Sequence, residues 1–296
     1  MKDGFSGYHP VINFVYFVFV IGISMFVRHP VYLGISLITA ILYHIYLKGR
    51  KALRFTVMVT VPVFLFSAIF NLLFNHEGAT ILAYFPDGNP LTKESILFGI
   101  AAGIMMLTVM NWFACFHEVM TSDKFIYLFG RLIPGISLVL SMILRFIPKY
   151  EIQIKKVSNA QKCIGRDVSD GNIREKAMHG MKILSIMVTW ALENSVETAD
   201  SMRSRGYGLR GRTSFSIYRF DARDKIMLAV ISISGMAAAT GVLTGQVSSL
   251  YYPVFSVNPL TAGTLVIYGA FLFLCLMPIF INLWEDKKWD YLQSRI

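Results

Sequence analysis

The chain has 296 residues and a formal net charge of +10, and it is 55% hydrophobic with only 16% charged residues. This is too apolar for an ordinary soluble domain, so the basic excess points to cytoplasmic loops of a membrane protein and away from nucleic acid. The scattered cysteines Cys115, Cys163 and Cys275 form no CxxC pair and no metal-ligand spacing, which speaks against a disulfide framework or a zinc site.

Six stretches are each long and apolar enough to cross a bilayer, about Val11–Val27, Val31–Leu47, Phe55–Phe74, Ile96–Phe116, Ile226–Gly245 and Ala262–Trp284. The first is long and lacks a small-residue cleavage site, so it is expected to be a retained span rather than a cleaved leader. A tight turn at Arg28, His29 and Pro30 joins the first two. Pro62 and Pro278 fall inside spans, where a kink is tolerated. Basic residues set the orientation. Lys48, Arg50, Lys51 and Arg54 crowd the second connection, and residues 117–225 hold 18 Lys+Arg against 11 Asp+Glu, so both are expected in the cytoplasm. The 75–93 loop and the uncharged 246–261 loop then fall outside, and both termini inside. Phe125–Ile147 is apolar but interrupted by Arg131 and closed by Arg145, too short between them to cross. It is expected as a helix at the inner surface. The organisation expected is therefore an all-α integral membrane protein. Residues 1–116 form a membrane part of four spans, 117–225 the cytoplasmic helices, and 226–296 a second membrane part of two spans.

The cytoplasmic region reads as two long amphipathic helices. One begins after Pro148, with Tyr150, Ile154 and Val157 on one side, and breaks at Gly165; Ser169, Asp170 and Gly171 make a turn. The second runs from about Ile173 to Arg205. Met181, Leu184, Met187, Trp190, Ala191, Ser195, Ala199 and Met202 line one side of it, and Lys182, Glu193, Glu197 and Asp200 the other. It ends in the basic, glycine-punctuated stretch Ser201–Arg212. Arg203 and Arg205 sit at the C-terminal turn, where unsatisfied carbonyls favour cations, and Gly206 supplies the left-handed residue that stops the helix. Such a tip is suited to enter a groove on another protein; the plainer reading is a solvated positive-inside connection.

Catalytic constellations are missing from the sequence. There is no G-x-x-x-x-G-K-[ST] loop. His117-Glu118 starts like a zinc-protease motif, but position 121 is Thr. His44, near a span end, reads as a hydrogen-bonded interfacial residue. The span centres carry no Asp, Glu, Lys or Arg, which disfavours an ion-coupled transporter, and Asn13, Asn71, Asn111 and Asn282 read as helix–helix contacts. A non-catalytic chain with no cofactor and no metal is expected.

The segment Ala199-Asp200-Ser201-Met202-Arg203-Ser204-Arg205-Gly206-Tyr207-Gly208 resembles the second Ala-Arg-Gly-type motif of the T component of energy-coupling factor importers, the cobalt and vitamin transporter group. Ser204 stands where that family usually has Ala, and Arg212-Thr213-Ser214-Phe215 is also similar to it. The first motif resembles Ala160-Gln161-Lys162-Cys163-Ile164-Gly165-Arg166-Asp167, with Ile164 at the usual arginine position and Arg166 one residue beyond Gly165. The resemblance implies that Arg203, Ser204, Arg205 and Gly206 form one ATPase-coupling site, and Cys163, Ile164, Gly165 and Arg166 the other, with an arginine at the first site either absent or in a shifted register. The partners it implies are two ABC-type ATPase subunits at the cytoplasmic face and a membrane-embedded substrate-binding S component, in a bacterial or archaeal cell membrane. A stand-alone permease or channel, and a membrane-anchored enzyme or assembly scaffold, are the alternatives.

Overall fold

A computed structural model describes residues 3–84, 86, 88–130, 134–166, 172–207, 218–259 and 261–294. It is an all-α architecture with two short antiparallel hairpins. By packing it divides into two units, Met1–Phe125 with Tyr218–Ile296, and Ile126–Ile217.

The first unit is a bundle of six apolar helical rods. Helix α1 (Pro10–Phe26) and helix α2 (Pro30–Lys48) start alike, because the same His-Pro-Val tripeptide opens both. The proline fits the first helical position, and the preceding imidazole caps the free N–H. His9 Nδ1 accepts from Val11 N at 3.3 Å, and His29 Nδ1 from Val31 N at 3.3 Å. Gly49, at φ +56°, turns the chain out of α2 into a short α3 (Arg50–Phe55). A π-helical turn (Thr56–Thr60) and α4 (Val61–Phe74) continue the same rod. Pro62, which cannot donate to the ladder, falls just after that widened turn. After the hairpin β1 (Ile81–Tyr84) and β2 (Pro90–Thr92), α5 (Lys93–Val119) starts at the Thr92 cap, whose hydroxyl accepts from Ser95 N. In β1–β2, Ile81 pairs with Thr92 and Tyr84 with Pro90.

Helix α6 (Ser122–Gly130) follows α5. The long pair of the second unit is α7 (Pro134–Cys163) and α8 (Ile173–Ser204). The first unit resumes with α9 (Ala222–Leu243), the hairpin β3 (Ser249–Leu250) and β4 (Ser256–Val257), and α10 (Ala262–Gln293). Capping boxes at Asn172/Glu175, Asp221/Asp224 and Thr261/Thr264 set the starts of α8, α9 and α10.

Among the described helices, five are long and apolar enough to cross a membrane: Pro30–Lys48, Arg50–Phe74, Lys93–Val119, Ala222–Leu243 and Ala262–Gln293. Pro10–Phe26 is a shorter apolar helix. These six rods correspond to the six expected stretches. Their core gathers Phe5, Tyr16, Phe17, Tyr32, Tyr43 and Trp112, all nearly without exposure. Close approach of α4 to α5 depends on Gly99 and Gly103. A Cβ on Gly103 would stand 2.7 Å from the Phe64 ring and 3.0 Å from its carbonyl oxygen. This is the small-x-x-x-small spacing of membrane helix pairs.

The connections of this unit segregate to two ends. At one, Tyr251 Oη donates to Arg28 O (2.7 Å), Ala79 N to Pro253 O (2.9 Å), and Asn75 Nδ2 to Tyr252 Oη (2.8 Å). The 28–30 turn and the 75–93 and 246–261 loops thus share one end. At the other, Lys48 pairs with Glu118 at 2.7 Å, Tyr46 Oη donates to Asp286 Oδ2 at 2.5 Å, and the Arg223 guanidinium lies 4.3 Å over the Tyr8 ring. Lys124, buried there, donates to Ser6 O, Ser6 Oγ and Val119 O and ties the N-terminal segment to the end of α5. The basic residues Lys48, Arg50, Lys51, Arg54, Arg223 and Lys225 belong to this second end.

Within the expected Phe125–Ile147 helix, α6 covers the residues up to Gly130 and α7 those from Pro134, and Arg131 lies outside the described residues. One expectation for the long helices is corrected. The first of the two expected cytoplasmic helices does not begin after Pro148. Helix α7 runs through that proline without ending. Proline inside a helix costs about 3 kcal/mol, and here the cost is offset by packing, because Phe146 stacks edge-on to Tyr150 and Tyr150 to Trp190 of α8.

Candidate functional site

The described ends of α7 and α8 share the same two closing hydrogen bonds, although the N–H of the cap residue differs, Ile164 N donating to Gln161 O and Arg205 N to Ser201 O, both at 3.3 Å. At the end of α7, Gly165 N donates to Lys162 O (3.0 Å) and Arg166 N to Gln161 O (3.0 Å). At the end of α8, Gly206 N donates to Arg203 O (3.1 Å) and Tyr207 N to Met202 O (3.0 Å). Each pair is a Schellman motif, which satisfies the last carbonyls of the helix and needs a left-handed residue after the cap. Gly165 at φ +73° and Gly206 at φ +78° supply it.

The shared geometry fixes a register between the two tips. Cys163 corresponds to Ser204, Ile164 to Arg205, Gly165 to Gly206, and Arg166 to Tyr207. Ile164 therefore holds the helix-capping position that Arg205 holds on α8, where the backbone has left the helix at φ −83° and ψ 9°. Arg166 lies two positions further, beyond the glycine. The sequence motifs did not single out a fifth correspondence, Lys162 with Arg203, which puts a cation in the last turn of both helices, at the helix's negative end. Exposed side chains dominate both tips: Ile164 is 61% exposed, and Cys163, Arg166, Arg203, Ser204 and Arg205 are exposed too. Ser204 Oγ donates back to Ser201 O at 2.9 Å, so this position turns a hydroxyl onto its own helix. Asp167, Ser169, Asp170, Gly171, Gly208, Gly211 and Arg212–Phe215 lie outside the described residues.

The two helices cross well before their tips. Tyr150 and Trp190 meet edge to face with centroids 5.4 Å apart, and Lys149 Nζ reaches both Asn194 Oδ1 (2.6 Å) and the Trp190 face (5.4 Å). From this crossing to Cys163 and to Ser204 the helices run nearly equal lengths, about 20 Å each at 1.5 Å per residue. The unit is thus a pair of stiff arms with matched ends. The expected single stripe on α8 is divided between two faces. Ile183 and Met187 are buried, whereas Met181, Leu184, Val188, Leu192 and Val196 form an exposed apolar row at three- and four-residue spacing. Val139, Ile143 and Ile147 make a similar exposed row on α7.

Some polar groups of the spans make contacts between elements, whereas Thr39, Thr60 and Thr108 bond carbonyls of their own helices and the buried Asn71 Oδ1 has no hydrogen-bond partner among the described residues. Asn111 Oδ1 accepts from Thr56 Oγ1 (2.9 Å) and lies 3.1 Å from His44 Nδ1, and Asn282 Oδ1 accepts from Phe5 N (2.9 Å). His44 is hydrogen-bonded as expected, and buried.

The model of a family described as cobalt transport protein (CbiQ) matches residues 6–215, a range that includes both helix ends. The chain belongs to this family. Among its relatives is the energy-coupling factor transporter transmembrane protein EcfT 1 of Listeria monocytogenes, 29% identical over 208 residues, covering 65% of this chain and 73% of the relative. The EcfT protein of Staphylococcus aureus is 27% identical over 248 residues, 76% of this chain and 91% of the relative. That of Lactobacillus helveticus is 36% identical over 95 residues, 32% of this chain and 34% of the relative. The family match and the apolar rods together make the chain a multi-pass membrane protein of a transporter family.

Proposed function

We propose that the chain is the transmembrane T component of an energy-coupling factor transporter, and that it passes motion from two ABC-type ATPase subunits to a membrane-embedded S component. The cargo class is a vitamin, metal ion or similar micronutrient, chosen by the S component. The observation that carries this reading is the pair of matched Schellman ends on α7 and α8. Two arms of equal length, each ending in an exposed cap with a cation in the last turn, suit two similar grooves on two similar partners. Arg205 would fork onto a carboxylate in one groove, and Ile164 would make an apolar contact in the other, with Arg166 the nearest guanidinium. The exposed apolar rows on α7 and α8 would carry the S component, and the crossing at Tyr150 and Trp190 would be the fulcrum. Tip contacts must differ between the ATPase states, or nothing is transmitted. In this reading residues 117–225 are the cytoplasmic coupling region between two membrane parts, the termini are cytoplasmic, and the chain itself is non-catalytic.

A stand-alone permease needs polar groups lining a path. Asn111 and Thr56 are instead bonded to each other between helices, and Asn282 Oδ1 accepts from Phe5 N of the N-terminal segment. Gentle co-purification of the full chain from its native membrane separates the two readings. Two ATPase subunits and one small membrane protein are expected to follow it; a chain that transports in vesicles without them would overturn the T-component role.

A further inference from the structure

A cleft of about 810 Å³ opens at the basic end of the six-rod bundle, between the end of α2, the start of α3 and the last turns of α5. The local chain geometry makes it. Gly49 swings α3 away from α2, which leaves Lys48 and Lys51 on either side of the turn. The π turn then carries Phe55 and Thr56 back to α5, where Thr56 is held by Asn111. The cleft is polar at one end and apolar at the other. Its rim has Lys48, Lys51 and His117, with Glu118 as the one carboxylate, paired to Lys48 at 2.7 Å. Its wall has Phe55, Met110 and Phe113, one to two helical turns toward the middle of α5. Phe113 is 45% exposed, and Val57 and Met58 beside the cleft are 58% and 68% exposed. Arg50 and Arg54, also exposed, stand on the same short helix as Lys51.

We propose that this cleft binds one anionic phospholipid. Its phosphate sits between Lys48 and Lys51, and an acyl chain runs down over Phe55 and Phe113. The polarity of the cleft decides the occupant. A soluble phosphate compound would leave the apolar wall wet, whereas a lipid at the membrane interface carries charge and hydrocarbon in this same order along the helix axis. Lys48 stays available although it pairs with Glu118, because an ammonium has three donors. The choice of an anionic over a zwitterionic lipid follows from the rim, where lysines near a membrane surface each favour negative headgroups. The site is independent of the transport role and requires only that the rods lie in a bilayer.

The test is native mass spectrometry of the full chain in detergent, titrated with phosphatidylglycerol, with phosphatidylcholine of equal chain length, or with glycerol phosphate. One phosphatidylglycerol per chain is expected, bound about fivefold or more tighter than phosphatidylcholine. Lys48→Gln with Lys51→Gln is expected to abolish that preference and Phe113→Ala to weaken both lipids, while Lys51→Arg retains wild-type binding. Lys287→Gln with Lys288→Gln, the same charge loss on α10, is expected to leave the preference intact. Equal binding of the two lipids, an equal loss in the α10 control, or glycerol phosphate binding as tightly as phosphatidylglycerol would each overturn the proposal.

Discussion

Arg205 and Ile164 occupy one structural position on two different helices, and this difference is the most informative single feature of the molecule. A sequence motif alone leaves open whether the first tip uses Arg166 in a shifted register. The hydrogen bonds around Gly165 resolve the backbone alignment, because Arg166 N bonds to Gln161 O as Tyr207 N bonds to Met202 O. Ile164 is the equivalent of Arg205, and the first tip has no cation at its cap. The glycine after each cap stands in the left-handed region, and at Gly165 the requirement is one of conformation rather than of space. A Cβ on Gly165 would meet nothing within 4 Å, so Gly165→Ala costs only the left-handed backbone penalty, about 1 kcal/mol. Gly165→Asn should cost less, since Asn tolerates that region. The same ranking is expected at Gly206. Thermal melts of the purified chain, paired with hydrogen exchange at the last turn of each helix, would check it. Equal tolerance of Ala and Asn at both sites would mean the Schellman ends are not maintained in solution.

At the scale of elements, the spans were the most legible part of the sequence, because length and apolarity alone decide them. Starts were less so, since apolarity alone places the fourth span at Ile96, whereas the Thr92 cap starts α5 at Lys93. What was hidden depended on tertiary packing. Pro148 reads as a boundary, but α7 continues through it, with Phe146 packed on Tyr150 and Tyr150 on Trp190. The α8 stripe reads as one face, but Met187 is buried and Trp190 packs on Tyr150 while Met181 and Leu184 are exposed, and periodicity cannot tell a buried row from an adjacent exposed one. The hairpin at residues 81–92 has no strong alternating pattern to announce it. Gly99 and Gly103 did carry a signal, four residues apart in an apolar run, for the tight α4–α5 packing. For the arms, the crossing is the element that matters. Tyr150 and Trp190 are expected to couple by about 0.5–1.5 kcal/mol in a double-mutant cycle of thermal stability, beyond their burial. Trp190→Ala is also expected to lower substrate uptake more than it lowers assembly with the ATPases, because it loosens the fulcrum and leaves the tips intact. A cycle with no coupling energy, or uptake falling only in step with assembly, would remove the crossing from the mechanism.

For the whole molecule, charge and connectivity agree. The turn at 28–30 and the loops at 75–93 and 246–261 meet at one end of the bundle, and the lysine- and arginine-rich connections meet at the other. An even number of rods brings the chain back to the basic end. Cys163 is exposed whereas Cys115 and Cys275 are buried, so it is a native reporter of the side on which the α7 tip lies. A membrane-impermeant thiol reagent is expected to label Cys163 only after permeabilisation. In a Cys163→Ser background, Gly88→Cys should be labelled in intact cells. Labelling of Cys163 from outside would invert the topology and separate the tips from any cytoplasmic ATPase.

The central claim, that the α8 tip docks on an ATPase through Arg205, is tested most directly by Arg205→Glu in the complete transporter, measured as ATPase co-purification with membrane insertion as the control. A charge-assisted pair that loses its cation and gains repulsion should cost on the order of 2–5 kcal/mol in association. At least one ATPase subunit is therefore expected to be lost from the complex while the chain still inserts normally. Arg205→Lys should recover only part of the binding, since an ammonium cannot make the planar fork, and Ile164→Ala should have the smaller effect of a lost apolar contact. Normal co-purification and uptake in Arg205→Glu would contradict the account and leave this tip a plain positive-inside connection.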